Sequence, residues 1–265
     1  MKERIDVYLF RVGLASSREK AQALIMEGRV FIGEKRVDKA SETVDEDCAV
    51  QVRGNEDAYV SRGAYKLERA FEVFQPDVSG KVLLDIGAAS GGFTDVLLRH
   101  GAAHVYAVDV GYGQFDWKLR NDPRVTLMER TNARLLKPEQ FDAMPDGAVM
   151  DVSFISTRLI IPTLLLLTGN KGRIVTLVKP QFEAGKGAVG KNGVIRDPET
   201  HRRVLKEIRD FCPPLFCHVD AFTYSPIRGP KGNIEFLADI WPGPGDGPTD
   251  EDIRNIVSEA HEKAR

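Results

Sequence analysis

Short runs of apolar residues alternate with longer amphipathic segments from Lys81 to the end of the chain. The runs are rich in Val, Leu and Ile, and continuous apolar runs are typical of strands that are covered on both faces. Where such strands alternate with helices, the chain builds βαβ units around a parallel sheet. The pattern therefore predicts five strands, in residues 81–87, 104–110, 125–130, 148–154 and 172–180.

Segments with apolar residues at helical spacing lie between and after these strands. The longest, residues 197–211, has clear start signals, because Asp197 can cap the helix and Pro198 suits its first position. Two later strands, CHVDAFTYS and NIEFLADIW, have a connection short enough for an antiparallel pair, and a terminal helix begins near Thr249. Further helices are predicted after Gly92 and in residues 115–120, 138–143 and 157–167.

The beginning of the chain follows a different pattern, because it is dense in charge and poor in long apolar runs. The polar stretch that follows becomes helical near Ala64. We therefore predict a small α+β domain in residues 1–58, a linker in residues 59–65 and an α/β domain in residues 66–265.

The composition, with 42% hydrophobic and 29% charged residues, is that of a soluble globular protein. The net charge of -2 gives no overall sign of nucleic-acid binding, although a basic face can be hidden in that balance. The three cysteines fit neither a disulfide framework nor a zinc pattern, so we expect a reducing cytoplasm and no metal. No signal peptide is recognisable at the start, and the most apolar run, residues 159–169, is too short to span a bilayer.

A glycine-rich turn, DIGAASGGFT, follows the first predicted strand. Ligands of open parallel sheets bind at the carboxyl ends of the strands, where glycine lets the backbone approach them. The spacing of Gly87, Gly91 and Gly92 differs from the GxGxxG of dinucleotide sites. S-adenosylmethionine, which has no phosphate, needs such a turn and an acid for its ribose hydroxyls, and Asp109 is placed for that role. One alternative is that the turn binds no ligand. Another is that the protein is a dinucleotide-dependent oxidoreductase.

Asp151, Lys179 and Glu235 lie at other predicted strand ends, and Lys66 precedes the first predicted strand. Because the ends of parallel strands converge, we expect Asp151 and Lys179 to meet in one crevice. Ions in apolar surroundings must be paired, so structural salt bridges are one explanation. The other is catalytic, because a desolvated lysine can remove a proton from an alcohol.

Five stretches, YVSRGAYKL, DIGAASGGFTD, MDVSFIS, LVKPQFE and KGNIEFL, resemble those of the TlyA-type RNA methyltransferases, relatives of the FtsJ ribose 2′-O-methyltransferases. The resemblance implies a Rossmann-like class I fold that depends on S-adenosylmethionine, and a catalytic tetrad of Lys66, Asp151, Lys179 and Glu235. It also implies transfer to the ribose of a ribosomal RNA nucleoside, expected to be cytidine. The implied cofactor-binding residues are Asp85, Gly87, Ala88, Ser90, Gly91, Gly92, Phe93, Asp109 and Asn132.

The stretch RIDVYLFRVGLASSREKAQALIMEGRVFIGEKRV resembles a second family, the small S-four-type RNA-binding domain. A helix capped at Ser16 or Ser17 and a hairpin that turns at Gly33 agree with it. The resemblance implies that ribosomal RNA or a ribosomal subunit is the partner. A basic face is predicted from Arg4, Arg11, Arg18, Lys20, Arg29, Lys35 and Arg36.

Proteins of the TlyA type have also been labelled haemolysins, so a membrane-active role is the alternative function. The absence of a predicted spanning segment or a strongly amphipathic cationic helix argues against it. An RNA-binding protein with an inactive enzyme domain is a third reading, and the presence of all four tetrad residues argues against that one.

Overall fold

The computed structural model describes residues 2–15, 17–33, 35–45, 48–52, 59–185, 187, 190, 192–229 and 231–264. The chain divides into two compact units, Met1–Ala58 and Tyr59–Arg265. No helix within the described ranges is both long and apolar enough to span a membrane.

The first unit is a small α+β fold in which two helices pack against short antiparallel strands. Ser17 caps the second helix by accepting a hydrogen bond from the amide of Lys20 (3.1 Å), and Gly33 turns the hairpin at a φ of +58°. Strand β1 pairs with β4, and β2 lies between β3 and β5. The predicted helix and hairpin are therefore confirmed. The elements are β1 (Lys2–Arg4), α1 (Ile5–Arg11), α2 (Arg18–Met26), β2 (Val30–Ile32), β3 (Lys35–Arg36), β4 (Thr43–Asp45) and β5 (Val50–Val52).

The second unit is built on a seven-stranded sheet, and all five predicted parallel strands are present in it. They are β6 (Val82–Ile86), β7 (His104–Val108), β8 (Val125–Met128), β9 (Gly147–Met150) and β10 (Arg173–Val178). The two later strands, β11 (Cys217–Tyr224) and β12 (Phe236–Pro242), pair antiparallel as predicted, and β12 also pairs antiparallel with β10.

The strand order is β11-β12-β10-β9-β6-β7-β8. The chain runs outward from β6 through β7 to β8 and then returns to the other side of β6 at β9. This reversal is a topological switch point, which opens a crevice at the carboxyl ends of β6 and β9.

Helices cover both faces of the sheet, because successive side chains of a buried strand point to opposite sides. Leu84 and Ile86 of β6 pack on the side of α6, α8 and α9, whereas Leu83 packs on the side of α3, α4 and α5. The helices are α3 (Ala64–Phe74), α4 (Gly92–Arg99), α5 (Trp117–Arg120), α6 (Ile161–Leu167), α7 (Pro180–Glu183), α8 (Pro198–Phe211) and α9 (Asp250–Lys263).

Two predicted helices differ from the structure. The segment 138–143 forms only one 3-10 turn, Pro138–Gln140, after which Phe141 is extended. The segment 157–167 begins with a separate 3-10 turn, Thr157–Leu159, before α6 starts at Ile161. Pro162 has no backbone donor, so a helix running continuously from Thr157 would lose one hydrogen bond there. Pro138 is the first residue of its turn, a position that proline tolerates, and does not explain why that turn ends at Gln140.

Candidate active site

The turn between β6 and α4 packs tightly against two other segments. Gly87 has a φ of +83°, and a Cβ built there would lie 2.9 Å from the carbonyl carbon of Asp151. Glycine tolerates both this backbone conformation and this close approach. A Cβ on Gly92 would lie 3.0 Å from the amide nitrogen of Ala64. The turn is thereby fixed against the end of β9 and the start of α3.

A cavity of about 490 Å³ lies beside this turn at the switch point. Its wall includes Gly87, Asp109, Asn132, Asp151 and Phe154. Most of the lining is apolar, and the volume is within the usual range for small-molecule sites.

Asp109 stands at the cavity wall with both carboxylate oxygens oriented by backbone amides. The amide of Ala89 donates to one oxygen (2.8 Å) and that of Gly111 to the other (2.6 Å). An ionised carboxylate has about four acceptor positions. Asp109 can therefore still accept hydrogen bonds from a pair of ligand hydroxyls, which fits the ribose of S-adenosylmethionine.

Of the nine predicted cofactor residues, three line the cavity: Gly87, Asp109 and Asn132. The remaining six do not line the cavity and belong to the end of β6, the turn itself or the start of α4: Asp85, Ala88, Ser90, Gly91, Gly92 and Phe93. Sequence reasoning missed several wall residues, among them Ala89, Gln114 and Phe154. Phe154 belongs to the quoted MDVSFIS stretch, so that motif carried a signal for it.

Asp85 is fully buried at the end of β6, immediately before the cavity residues Ile86 and Gly87. Thr94 Oγ1 donates a 2.7 Å hydrogen bond to Oδ2 of Asp85, whereas the buried Oδ1 has no hydrogen-bond partner in the described part of the chain. Burial, opposed in part by the Thr94 hydrogen bond, raises the pKa of Asp85 to about 7.

The raised pKa predicts a pH-dependent effect of Asp85→Asn on stability. Because the folded-state pKa lies above the unfolded value, Asp85 favours folding most below about pH 4, and that contribution is lost as pH rises to about 7. Asn cannot ionise and keeps an acceptor for Thr94. The variant should gain stability relative to the native chain by up to about 1.4 kcal/mol per pH unit across this window.

Urea unfolding of both proteins between pH 4 and pH 8 measures this difference. Two stability curves that stay parallel would show that Asp85 does not change its protonation state between the folded and unfolded chains.

The four predicted tetrad residues meet near the carboxyl ends of β9 and β10, next to the cavity. Lys179 Nζ lies 2.5 Å from Asp151 Oδ1, and Lys66 Nζ lies 3.5 Å from Asp151 Oδ2. On its other side Lys66 Nζ contacts Glu235 Oε2 at 2.7 Å. Asp151 therefore joins the two ammonium groups and is also the tetrad residue in the cavity wall.

The tetrad is largely removed from solvent, since Lys66 and Lys179 are each 7% exposed and Glu235 is 1% exposed. Burial alone would lower the pKa of Lys66, but Asp151 and Glu235 outweigh it, and the pKa lies above its ordinary value. Lys66 is thus a stable ammonium that can orient an oxygen ligand. The tetrad places two such cations and two carboxylates beside a cavity.

Two further polar side chains contact the tetrad, and sequence reasoning did not single them out. Ser153 Oγ accepts a hydrogen bond from Lys179 Nζ (2.9 Å), and Gln181 Nε2 donates one to Glu235 Oε1 (3.3 Å). Both residues lie within quoted motifs, but only the folded backbone shows which side chains they reach.

In the first unit, most of the predicted basic residues are paired with acids. Arg4 and Arg18 both bind the fully buried Asp6, at 3.0 and 3.1 Å, and the Arg4 hydrogen bond is the largest cause that holds the pKa of Asp6 well below its usual range. Three further arginines pair with neighbouring acids: Arg11 with Glu3, Arg29 with Glu27, and Arg36 with Asp38.

The two predicted lysines of this unit differ from the arginines. Lys20 and Lys35 are exposed and form no ion pair with any residue that the structure describes. Of the seven residues of the predicted basic face, these two are therefore accessible to an external anion.

The mostly parallel sheet, the glycine turn, the cavity at the switch point and the adjacent Lys–Asp–Lys–Glu tetrad together define a methyltransferase of the class I α/β type. The sequence profile described as FtsJ-like methyltransferase matches residues 59–239, and the S4 domain profile matches residues 3–47. The chain therefore belongs to the FtsJ-like methyltransferase family and carries an S4 domain. Methyltransferases of this family use S-adenosylmethionine, and the open acceptor positions of Asp109 in the cavity wall fit the hydroxyls of its ribose.

Several proteins are similar to the chain over almost its whole length. A Bacillus subtilis protein named as a candidate rRNA methyltransferase, YqxC, is 49% identical over 98% of this chain and 94% of its own. The Mycobacterium tuberculosis 16S/23S rRNA (cytidine-2′-O)-methyltransferase TlyA is 47% identical over 91% of this chain and 89% of its own. A solved structure from Streptococcus thermophilus, named as a candidate hemolysin, has 42% identity and a TM-score of 0.76, and covers 99% of this chain and 96% of its own.

Proposed function

We propose that this protein transfers the methyl group of S-adenosylmethionine to a ribose 2′-hydroxyl of ribosomal RNA, with cytidine as the nucleoside. The observation that carries the proposal is the buried tetrad, in which Asp151 both lines the cavity and bridges Lys66 and Lys179. The activity for which the M. tuberculosis relative is named supports the choice of cytidine and of ribosomal RNA.

When bound, S-adenosylmethionine supplies an electrophilic methyl group on a sulfonium centre. On the protein side, Asp109 and Asn132 hold the nucleoside end of the cofactor, and Asp85, buried behind the cavity wall, supports the turn through its hydrogen bond from Thr94. The closeness of Asp151 to both the cavity wall and the two lysines brings the acceptor hydroxyl next to the donor. Much of the acceleration then comes from alignment.

Lys179 is the residue that we assign to the 2′-hydroxyl. Its Nζ is held by Asp151 and Ser153, at 2.5 and 2.9 Å, so it is fixed in position and, as an ammonium group, stabilises the negative charge that develops on the oxygen while the hydroxyl proton passes to solvent. Lys66, paired with Glu235, orients the ribose.

Phe154 supports the idea that a nucleotide enters at this point. Its side chain lines the cavity mouth and is 91% exposed, and its ring centroid lies 5.1 Å from that of Phe182. Exposed aromatic rings are platforms on which unstacked bases lie in RNA-binding proteins.

In this proposal residues 1–58 dock the RNA, residues 59–65 connect the two units, and residues 66–265 carry out the transfer. The partner is ribosomal RNA or a ribosomal subunit, and the protein acts in the cytoplasm, where this substrate is found.

The exposed lysines of the first unit give a test of RNA docking. Lys20→Ala and Lys35→Ala should each weaken RNA binding and reduce the slope of log K against log salt by about 0.9, because each removes one phosphate contact. The affinity for S-adenosylmethionine should stay unchanged. Filter binding to ribosomal RNA at several salt concentrations measures the slope, and native slopes in both variants would place the docking surface elsewhere.

The activity itself is tested by incubating the protein with S-adenosylmethionine carrying a labelled methyl group and with ribosomal subunits from cells that lack this protein. The RNA is then digested to nucleosides for mass spectrometry. Label on the ribose of cytidine is the expected result. Label only on a base, or no transfer, would contradict the proposal. Leakage of liposomes caused by the pure protein would instead favour the membrane-active alternative.

A further inference from the structure

Glu183 is a buried carboxylate outside the tetrad, at the end of α7, and it is 5% exposed. Its carboxylate accepts a hydrogen bond from Ser156 Oγ (2.5 Å) and two from Thr157, through the amide nitrogen (2.7 Å) and Oγ1 (2.9 Å). Arg158 adds an ion pair at 3.4 Å and a 3.1 Å hydrogen bond to the Glu183 carbonyl oxygen. These contacts compensate the desolvation of a charge that would otherwise be costly to bury.

The contacts of Glu183 join the two segments that carry Asp151 and Lys179. The first segment, residues 151–156, follows β9 and has no regular secondary structure. The second segment, residues 179–183, follows β10 and contains α7. At its start the first segment is held by a 2.9 Å hydrogen bond from the Asp151 amide to the carbonyl oxygen of Ile86. At its end it is held by Glu183.

The segment between these two anchors has a strained backbone. Phe154 has a φ of +64°, a conformation that costs a bulky residue about 1–3 kcal/mol and persists where the surrounding contacts determine it. Its neighbour Ser153 supplies the oxygen that accepts a hydrogen bond from Lys179. The conformation of this segment therefore sets where two partners of Lys179, Asp151 and Ser153, are located.

We propose that Glu183 is a positioning residue of the active site, which holds residues 151–156 so that Asp151 and Ser153 face Lys179. The inference rests on the proposed function, because that function gives Lys179 and Asp151 their catalytic roles. Glu183 itself does not line the cavity and acts through the segment that it anchors.

The test is Glu183→Gln in the full-length protein. Gln keeps the size of the side chain and one acceptor oxygen, but its NH₂ group cannot accept a hydrogen bond, so the contacts with either Ser156 or Thr157 are lost together with the ion pair to Arg158. We expect kcat to fall about 10- to 100-fold, because small displacements of catalytic groups cost this much, while the KM for S-adenosylmethionine stays within about threefold. The pH–rate profile should also shift, because Lys179 is no longer held against Asp151.

Glu207→Gln is the matched control. Glu207 also contacts Arg158, at 3.4 Å, but it lies on α8 and has no hydrogen bond to residues 151–156. This variant should keep the native kcat and pH profile. If Glu183→Gln matches the native protein in kcat and in pH profile at a temperature where both are folded, Glu183 has no positioning role.

A milder variant decides the question if Glu183→Gln does not fold. Thr157→Val removes only the 2.9 Å hydrogen bond from Oγ1 and keeps the shape of the side chain. We expect kcat to fall about three- to tenfold with a shifted pH profile, and native values for both would overturn the inference. Full activity of the Lys179→Ala variant would contradict the proposed function. If Lys179→Ala loses activity but the Glu183 and Thr157 variants behave like the native protein, only the positioning role is contradicted.

Discussion

Replacing Lys179 by alanine is expected to reduce methyl transfer by about 10²- to 10⁴-fold, because the variant loses the group that we assign to the acceptor hydroxyl. The fold should survive, since Asp151 retains Lys66 as an ionic partner at 3.5 Å. Lys179 does not line the cavity, so the affinity for S-adenosylmethionine should change little. Initial rates with ribosomal subunits, together with calorimetric titration of the cofactor, measure both quantities.

Lys171→Ala is the matched control for this prediction. Lys171 lies two residues before the start of β10, at the opposite end of the strand from Lys179, and it is exposed. Its replacement changes the net charge equally and should leave the rate unchanged. Equal activity in the Lys179 and Lys171 variants would remove Lys179 from the mechanism.

The second large effect is expected at the glycine turn, where Gly87→Ala should strongly weaken cofactor binding. The added methyl group would meet the carbonyl group of Asp151, and the backbone would be held at a φ of +83° that alanine disfavours. The turn must then move away from the cavity. We expect the affinity for S-adenosylmethionine to fall by more than about tenfold. Separately, backbone strain should lower the free energy of unfolding by about 1–3 kcal/mol.

Gly80→Ala is the control that separates the effect of backbone strain from the effect of the close contact with Asp151. Gly80 has a φ of +70° with no neighbouring atom within 4 Å of a built Cβ, and it lies before β6 rather than after it. This variant should lose a similar amount of stability to strain and bind the cofactor normally. If both variants bind S-adenosylmethionine equally well, the close approach of Gly87 to Asp151 does not shape the site.

The meeting of Asp151 and Lys179 could be predicted from the sequence, because parallel strands end at one edge of a sheet. Glu235 joins them for a related reason: β12 runs antiparallel to β10, so its first residue, Phe236, pairs with Val178, the last residue of β10. Lys66 could be assigned only from the resemblance, since hydrophobic periodicity does not indicate which strand end the start of α3 approaches.

Other features depended on tertiary contacts that a sequence pattern does not encode. The charged surface predicted for the first unit includes Arg4 and Arg18, but Asp6, buried at the start of α1, pairs with both. Likewise, the partners of Ser153 and Glu183 lie more than 20 residues away in the sequence, so packing and not a local pattern brings them together. In the segment 138–143 the predicted helix ends early, because the backbone is extended at Phe141.

The most direct test of the central claim compares ribosomal RNA from cells that contain the native protein, the Lys179→Ala variant or neither, by mass spectrometry of the nucleosides. The tetrad account predicts 2′-O-methylcytidine above the background only in cells with the native protein. Equal amounts of this nucleoside in all three samples would contradict it, as would full methylation by the Lys179→Ala variant.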